Sequence, residues 1–326
     1  MSSVSEGRFP GSSVPLLTPP PRCATLLTDD GVPVEAVYEP CTAGFGAPDG
    51  GAAGALQATP ARTPAIVVAH GFTGSADRPA VRRAARVFAQ RAAVITFSFR
   101  GHGRSGGRST VGDREVLDLA AAVAWARELG HTRVVTVGFS MGGSVVLRHG
   151  ALYTADPVAG RAESGAGDTA VRVPGREARR EGRGEREGRT RRTGAHSDAV
   201  VSVSAPARWY YRGTAPMRRL HWVVTRPSGR LVGRYGFRTR IATEDWDPVP
   251  LSPVAAVPLI APAPLLLVHG DRDPYFPLDH PRMLADAAGP GGAELWLERG
   301  MGHAENAADD ALLARIADWA TATPPA

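Results

Sequence analysis

Lysine is absent from this chain of 326 residues, so all 38 of its basic side chains are arginine. Cysteine is almost absent too, because Cys23 and Cys41 are the only two. Two cysteines are too few for a disulfide framework, and in a reducing compartment we expect both to be free thiols. Neither has a histidine or a second cysteine at ligand spacing, and the sequence therefore predicts no metal site.

Long apolar runs are also missing from the sequence. No stretch approaches the length of a membrane-spanning helix, which needs about 20 apolar residues. The beginning of the chain does not combine a charged segment with a following apolar segment, as a secretory signal does. We therefore expect a cytoplasmic protein without stable insertion in a membrane.

The net charge of +6 is concentrated in one part of the chain. Residues 161–197 hold ten Arg against six Asp or Glu, which accounts for +4, and the remainder is close to neutral. An arginine-rich segment can bind nucleic acid or other polyanions. This one lacks interleaved aromatic residues, and its acidic residues dilute the charge, so we expect no nucleic-acid partner. Binding of a polyanion by the segment stays open as an alternative.

Hydrophobic residues make up 43% of the chain, enough to bury the core of one large domain. Residues 1–22 are rich in Ser, Pro and Gly, and residues 157–197 in Arg, Glu and Gly. Neither segment can bury enough apolar surface to fold, so we interpret them as a disordered tail and a disordered insertion. The folded domain is predicted over 23–156 and 198–322. Within it, the aromatic residues of 208–260 suit a lid of short helices and loops, or else an ordinary connecting segment.

Short apolar runs alternate with helical patterns along this domain. Alternating residues around Asp30-Gly31 predict an opening antiparallel hairpin. Buried strands are predicted at 65–69, 93–97, 134–137, 199–203, 265–268 and 293–297, and helices near 79–88, 113–129, 144–148, 281–288 and 309–320. Asp77 is expected to cap the first helix, with Pro79 in its first turn. The alternation predicts parallel β-α-β units, whose ligands bind at the carboxyl ends of the strands.

The clearest chemical pattern is Gly138-Phe139-Ser140-Met141-Gly142. It follows the apolar run of the predicted strand at 134–137 and precedes a predicted helix. A G-x-S-x-G sequence in this context indicates a nucleophile elbow, a strained turn that leaves the serine hydroxyl free. The alternative is a glycine turn with a solvated serine, and only partner residues can decide between the two.

A serine nucleophile needs a base, and the base needs an acid that orients it. Asp271 and Asp273 both follow the strand predicted at 265–268, and His303 follows the strand at 293–297. The order Ser, Asp, His along the chain is that of the α/β-hydrolases. The positions alone leave two candidate acids open.

With these motifs the sequence resembles the α/β-hydrolase superfamily, and more narrowly the esterases and lipases of the monoacylglycerol lipase or serine-aminopeptidase-like group. The resemblance covers about residues 24–156 and 198–322. Four motifs stand in the order of the family: His70-Gly71-Phe72, Arg100-Gly101-His102-Gly103-Arg104-Ser105, Gly138 to Gly142, and Gly270-Asp271-Arg272-Asp273 with the later Gly302-His303. It implies an α/β fold with a mostly parallel central sheet, helices on both faces and a small lid insertion.

The resemblance also implies a role for individual residues of the triad. In this family the acid three residues after the glycine orients the base, which selects Asp273 over Asp271. His303 is the base by the same comparison. His280, inside the preceding predicted helix, is the weaker candidate for that role, and we expect it to be exposed.

The oxyanion hole of the family uses the backbone N–H after the nucleophile and one in the loop after the third strand. The matching positions here are Met141 and Phe72, whose side chains are expected to line the acyl pocket. His70 is expected to pack beneath the loop, and the residues around His102 to shape a turn near the site. No metal or organic cofactor is implied.

The sequence thus predicts a serine hydrolase that cleaves esters of small or medium apolar acyl groups through an acyl-enzyme intermediate. A thioesterase, an acyltransferase or an aminopeptidase-like hydrolase would use the same triad. Two further alternatives are a non-catalytic ligand sensor on the same scaffold and a protein whose insertion binds polyanions. The expected partner is a small-molecule ester, and the sequence leaves the oligomeric state open.

Overall fold

A computed structural model describes residues 20–42, 63–154 and 194–323. Most of the predicted tail and most of the predicted insertion lie outside the described residues, as does most of the loop predicted between the opening hairpin and the next strand. The described residues contain one continuous sheet, with helices packed on both of its faces.

The sheet has eight strands. Their bounds are β1 (Arg22–Leu27), β2 (Pro33–Glu39), β3 (Ala65–Ala69), β4 (Ala93–Phe97), β5 (Val134–Phe139), β6 (Ala199–Val203), β7 (Leu265–Gly270) and β8 (Glu294–Glu298). The strand order is β1-β2-β4-β3-β5-β6-β7-β8. The pairs β1 with β2 and β2 with β4 are antiparallel, and all the other pairs are parallel. The predicted opening hairpin and the mostly parallel sheet are confirmed.

The apolar runs in the sequence correspond to the centre of this sheet. Every residue of β3, β4, β5, β6 and β7 is buried. A strand covered by helices on both faces must be apolar on both, and its sequence therefore does not alternate. The edge strand β1 has several exposed residues, because only its neighbour β2 pairs with it in the described part of the chain.

Nine α-helices are described in these parts of the chain. They are α1 (Pro79–Phe88), α2 (Glu115–Glu128), α3 (Met141–Leu152), α4 (Ala215–Thr225), α5 (Pro227–Tyr235), α6 (Pro253–Ala256), α7 (Asp279–Ala288), α8 (Ala304–Ala307) and α9 (Asp310–Ala322). On one face, Phe88 of α1 and Ile316 of α9 pack into a buried cluster with the sheet. On the other face, Leu119, Leu147 and Leu284 bring α2, α3 and α7 into a second cluster. Removing such side chains from water is worth roughly 25 cal/mol per Å² of apolar surface and holds the layers together.

The predicted cap of α1 is wrong. Pro79 is the first residue of the helix, as expected, but the capping position is Arg78, and no side chain caps it. The N–H of Arg78 donates to the carbonyl oxygen of Ser75 at 3.1 Å, so Asp77 lies inside a turn, one residue too early to reach the free N–H groups of the helix. The Asp77 carboxylate instead lies 3.4 Å from Nη1 of Arg104.

Residues 208–260, which we call the lid segment, contain α4, α5 and α6. Side-chain hydrogen bonds tie this segment to loops at the carboxyl ends of strands. Nε1 of Trp246 donates to the carbonyl oxygen of Thr110, after β4, at 2.7 Å. Oγ1 of Thr214 donates to the carbonyl oxygen of Tyr275, after β7, at 2.9 Å. The lid segment therefore lies along the edge of the sheet where a ligand is expected.

Candidate active site

Ser140 occupies a strained turn between β5 and α3. Its backbone has φ 53° and ψ −113°, values that a residue with a side chain rarely adopts, and such strain costs roughly 1 to 3 kcal/mol. The N–H of Ser140 donates to the carbonyl oxygen of Val203 at 2.8 Å, which anchors the turn to the end of β6. Because the buried strand and helix on either side fix the turn, the hydroxyl is held away from the backbone.

The two glycines of the motif are required by close backbone contacts. A Cβ on Gly138 would lie 2.2 Å from the carbonyl oxygen of Gly142, and a Cβ on Gly142 would lie 2.1 Å from that of Ala69. Real Cβ atoms do not approach backbone oxygens so closely. The spacing of the motif is therefore set by the sharp return of the chain from strand to helix, packed against the end of β3.

The structure brings Ser140, His303 and Asp273 together from three distant parts of the chain. Nε2 of His303 lies 2.8 Å from Oγ of Ser140, and Nδ1 of His303 lies 2.7 Å from Oδ2 of Asp273. A carboxylate can only accept, so the proton of a neutral His303 resides on Nδ1. Nε2 is then free to accept the proton of the serine hydroxyl, as a general base must.

The side chain of Asp273 is fully buried. Its second oxygen, Oδ1, accepts hydrogen bonds from the N–H groups of Tyr275 and Phe276, at 2.8 and 3.1 Å. Burial alone would raise the pKa of this carboxyl. The hydrogen bond from His303 and the two backbone N–H groups together outweigh that effect, and the pKa lies below its ordinary value of 3.8. Asp273 is therefore held as a carboxylate.

Asp271, the other candidate acid, lies apart from His303. It is exposed, and its Oδ1 accepts a hydrogen bond from the N–H of Gly300 at 2.6 Å. This bond holds the turn that follows β8 and leads to His303. Asp271 thus has a structural contact with that loop, whereas Asp273 contacts the imidazole itself.

The expectation that His280 is exposed is wrong. The helix that contains it begins at Asp279, earlier than predicted, and His280 in its first turn is turned inward and fully buried. Its Nδ1 accepts a hydrogen bond from the N–H of Ala207 at 2.9 Å. Burial lowers the pKa of His280 to about 4, so the ring is neutral at pH 7. It packs against Tyr211 and Phe276 and makes no hydrogen bond to Ser140.

The two residues expected to form the oxyanion hole lie near the serine. Phe72 and Met141 both line the cavity that contains Ser140. No acceptor in the described part of the chain receives a hydrogen bond from the N–H of either residue. Two free N–H groups close to a nucleophile can stabilise the negative charge that develops on a substrate carbonyl oxygen.

His70 fixes the orientation of one of these N–H groups. Its Nε2 accepts a hydrogen bond from the N–H of Phe99 at 3.0 Å, so its proton is on Nδ1, which donates to the carbonyl oxygen of Gly71 at 2.7 Å. That oxygen and the N–H of Phe72 belong to the same planar peptide unit and point in opposite directions. Burial lowers the pKa of His70 to about 3, so the arrangement persists at pH 7.

The turn around His102 packs against this loop. The His102 ring is buried and lies edge-on to the rings of His70 and Phe72, at centroid distances of 5.1 and 5.8 Å. Its Nδ1 lies 3.0 Å from the carbonyl oxygen of Arg100. These contacts agree with a role in shaping the turn.

Glu305 is a residue of this region that the sequence motifs did not indicate. Its carboxylate is buried, and Oε1 accepts a hydrogen bond from the N–H of Gly71 at 3.1 Å. No basic side chain forms an ion pair with it within the described residues. A Cβ on Gly71 would lie 3.1 Å from Oε1 of Glu305 and 3.4 Å from Cβ of Ser140, so carboxylate and serine flank the same glycine. Its position two residues after His303 was the only signal in the sequence.

Two cavities meet at Ser140. The smaller, about 190 Å³, has a mainly apolar wall that includes Met141, Trp209 and Trp246. Most of its aromatic lining comes from the lid segment. The larger, about 400 Å³, contains His303 and has polar side chains in its wall, namely Thr73, Arg219, Glu305 and Asn306. Phe72 lines both cavities.

The described ranges 20–42, 63–154 and 194–323 contain no group of three or more His, Cys, Asp or Glu side chains that could hold a metal ion. None of the helices in these ranges is both long and apolar enough to cross a membrane.

A family model described as alpha/beta hydrolase fold matches residues 64–305. No curated protein matches the chain. Among solved structures, the chain is similar to the esterase Pf2001 of Pyrococcus furiosus, with a TM-score of 0.59 and 18% identity over 96% of this chain and 97% of that one.

Two further solved structures are similar at comparable levels. The alpha/beta hydrolase GrgF from Penicillium sp. sh18 has a TM-score of 0.54 and 15% identity, over 87% of this chain and 91% of that one. The esterase domain of a Rhodothermus marinus protein has a TM-score of 0.53 and 16% identity, over 92% and 95%. At such identities the likeness concerns the fold.

Proposed function

The chain belongs to the α/β-hydrolase fold family, and on that premise we propose that it is a serine hydrolase that cleaves carboxylic esters. One observation carries the proposal: two hydrogen bonds, of 2.7 and 2.8 Å, link Asp273 through His303 to Ser140. A serine on a strained turn without such a base would be a poor nucleophile, because its hydroxyl does not ionise at neutral pH.

In the acylation step, Oγ of Ser140 attacks the ester carbonyl while Nε2 of His303 takes its proton. The carbonyl oxygen becomes negative and accepts hydrogen bonds from the N–H groups of Phe72 and Met141. His303, now positively charged, is stabilised by Asp273 and gives its proton to the leaving alcohol oxygen. The carbon–oxygen bond to the alcohol breaks, and the acyl group remains on Ser140.

Deacylation repeats the same steps with water. His303 takes a proton from a water molecule, whose oxygen attacks the acyl carbonyl, and then returns that proton to Oγ of Ser140. The carboxylic acid leaves, and the enzyme is restored. Each N–H of the oxyanion hole is expected to stabilise the transition state by about 3 to 4 kcal/mol.

The two cavities support an assignment of the two halves of the substrate. The acid that protonates the leaving group must lie beside it, and His303 lines the larger, more polar cavity. We therefore assign the alcohol to the larger cavity and the acyl group to the smaller, apolar one beside Met141. A volume of about 190 Å³ and its aromatic wall favour a small or medium apolar acyl group.

The finer placement among esterases and lipases of the monoacylglycerol lipase or serine-aminopeptidase-like group stays a proposal that rests on the order of the motifs. The division into a hydrolase domain with a lid at 208–260 and the cytoplasmic location also stay proposals. A thioesterase, an acyltransferase and an aminopeptidase-like hydrolase would use the same triad, and no specific contact favours one of them.

The proposal is tested by labelling the folded protein with a fluorophosphonate, which reacts with activated serines. We expect labelling at Ser140 that is lost in Ser140→Ala. A folded protein that is not labelled would be the ligand sensor instead. A series of p-nitrophenyl esters and matching thioesters of increasing acyl length then measures the acyl preference, with the best kcat/KM expected for short and medium chains.

A further inference from the structure

The lid segment has an unusual charge distribution. Residues 208–240 hold nine Arg and no Asp or Glu. The near-neutral total outside residues 161–197 conceals this cluster, because acidic residues elsewhere offset it. A count by segment would have found it in the sequence.

Most of these arginines are exposed and have no partner of opposite charge within the described residues. Arg226, Arg234 and Arg238 are exposed, and none of them forms an ion pair with a carboxylate in the described part of the chain. In the same stretch, the ion pair that does form joins Arg208 to Asp279, at 3.2 Å. The outer surface of residues 208–240 is therefore strongly positive.

Large apolar side chains are exposed among these arginines. Tyr235 is 75% exposed, Leu231 58% and Trp222 45%, with Val232 and Phe237 close behind. On α4, Arg218, Arg219 and Trp222 share one face of the helix, and Arg226 follows at its end. On α5, Leu231, Arg234 and Tyr235 are exposed. Exposed apolar side chains that cluster together are typical of an interaction surface.

The opposite side of the same helices faces the protein. Met217 and Val224 line the apolar cavity at Ser140, and Val223 is buried. Gly229 and Gly233 turn inward, and a Cβ on Gly229 would lie 2.2 Å from the carbonyl oxygen of Trp222, so α4 and α5 pack closely. The inner side of these helices therefore covers the site. Contact with the site does not explain why the apolar residues on their outer side are exposed.

We propose that this outer surface, formed by the exposed side chains of residues 212–238, docks on an anionic lipid surface. Helices that lie on membranes carry Lys and Arg on their polar face and Trp, Phe and Leu on the other. Here α4 and α5 expose residues of both kinds, with the apolar side chains among the arginines. The aromatic rings and Leu231 enter the boundary between headgroups and acyl chains, while the arginines pair with lipid phosphates.

Other occupants fit the surface less well. A second copy of the chain would bring six exposed arginines against six, which is repulsive. A nucleic acid would satisfy the charge but would not stack on aliphatic side chains such as Leu231 and Val232. A lipid surface offers phosphates that pair with the arginines and an acyl-chain region that buries the apolar side chains.

Docking would also orient the site. Arg219 and Phe237 belong to the outer surface and line the larger cavity, which contains His303. The mouth of that cavity would therefore face the lipid, and an apolar ester could enter from the membrane without crossing water. The docking itself does not depend on the esterase activity, so either proposal can fail without the other.

Co-sedimentation of the full chain with large vesicles tests the docking. Vesicles of phosphatidylcholine alone are compared with vesicles in which about a third of the lipid is phosphatidylglycerol. We expect binding to the anionic vesicles and little to the neutral ones, with affinity falling as salt is raised. Absence of binding to the anionic vesicles at low salt would overturn the proposal.

Matched triple variants locate the surface. Arg226→Gln, Arg234→Gln and Arg238→Gln together should weaken binding about a hundredfold, roughly fivefold for each charge. Two control sets, with three Gln substitutions each, should bind like the wild type: Arg82, Arg86 and Arg282 on other helices, and Arg179, Arg180 and Arg183 in the predicted insertion. If the second control set removes binding and the first variant does not, the insertion is the binding element and the proposal is wrong.

Two measurements separate lipid docking from other causes. Hydrolysis of a soluble p-nitrophenyl ester should be the same in all three variants, which shows that each is folded. The double variant Leu231→Ser, Tyr235→Ser should bind anionic vesicles more weakly and with a steeper dependence on salt, because the apolar contribution is lost. If single-stranded RNA binds as tightly as anionic vesicles at equal salt, and this double variant binds both like the wild type, the surface recognises polyanions in general and the lipid assignment is wrong.

Discussion

Nδ1 of His70 donates a hydrogen bond to the carbonyl oxygen of Gly71 at 2.7 Å, and this bond sets the direction in which the N–H of Phe72 points. The N–H of Gly74 donates to the same oxygen at 2.9 Å. A peptide unit held at its oxygen by two donors cannot flip without losing both bonds. The free N–H opposite is therefore ready before a substrate arrives, which is what transition-state stabilisation by a fixed donor requires.

Replacing His70 should impair turnover and not substrate binding. His70→Ala removes the donor to Gly71 and leaves the N–H of Phe99 unpaired, and we expect kcat to fall by about 10² to 10³, as for loss of one oxyanion donor. His70→Asn can keep a donor near Nδ1 and should recover part of the loss. Steady-state kinetics on one p-nitrophenyl ester measures this. A rise in KM at constant kcat would contradict the role.

Asp271 and Asp273, the two acidic residues that follow β7, can be compared by the same substitution to Asn. Asp273→Asn should lower kcat by about 10⁴, because an amide no longer stabilises a protonated His303 or enforces its tautomer. Asp271→Asn should change kcat little, since its contact is with the N–H of Gly300, and an amide oxygen can still accept there. The reverse ranking in kcat would show that Asp271 is the orienting acid.

Ser140 and His303 should behave as one unit. Ser140→Ala and His303→Ala are each expected to lower kcat by several orders of magnitude, and the double variant should be no slower than the worse single variant. The physical reason is that the base has no function without the hydroxyl it deprotonates. Additive losses in log kcat would mean that the two residues act independently.

Replacing Glu305 should lower kcat, because its carboxylate holds the loop at Gly71. Glu305→Ala leaves the N–H of Gly71 without its acceptor, and a buried unpaired N–H costs roughly 1 to 3 kcal/mol, so we expect the loop to loosen and kcat to fall about tenfold or more. Glu305→Gln keeps an acceptor oxygen and should stay within a few fold of the wild type. If Gln is as damaging as Ala, the negative charge is what the site needs, and the contact with Gly71 is secondary.

The free energy of unfolding should decrease as the pH is lowered, in a range set by the pKa values of buried histidines. Burial lowers the pKa of His149 from 6.5 to about 3, so between these values the unfolded chain binds a proton that the folded chain does not. Its contribution is intact above pH 6.5 and is lost as the pH falls, by up to about 1.4 kcal/mol per pH unit.

His149→Phe removes this titration and keeps the ring contact with Tyr153, whose centroid lies 4.6 Å away. The free energy of unfolding in urea, measured at pH 6.5 and 5.5, should fall more steeply for the wild type than for the variant. Equal slopes would show that His149 is protonated in the folded protein or does not titrate in this range.

The central strands could be located from the sequence because burial on both faces requires a continuous run of apolar residues. The runs at 65–69 and 93–97 were predicted with the bounds that β3 and β4 have. The ends of helices depend on the local path of the backbone, and the sequence pattern predicted the wrong capping residue for α1. Asp77 is a good capping residue in general, but the turn closed by Ser75 and Arg78 puts it one position too early.

The sequence by itself determined the fold and the residue types at the strand ends, because apolar runs, glycine spacing and chain order depend on near neighbours. Only the tertiary structure decided that Asp273 contacts His303, that His280 is buried, and that Glu305 reaches Gly71. These outcomes depend on how far apart the ends of β3, β7 and β8 lie and on which way α7 faces. Such distances follow from strand order and from packing between segments that lie 30 to 234 residues apart in the sequence, and no local pattern records them.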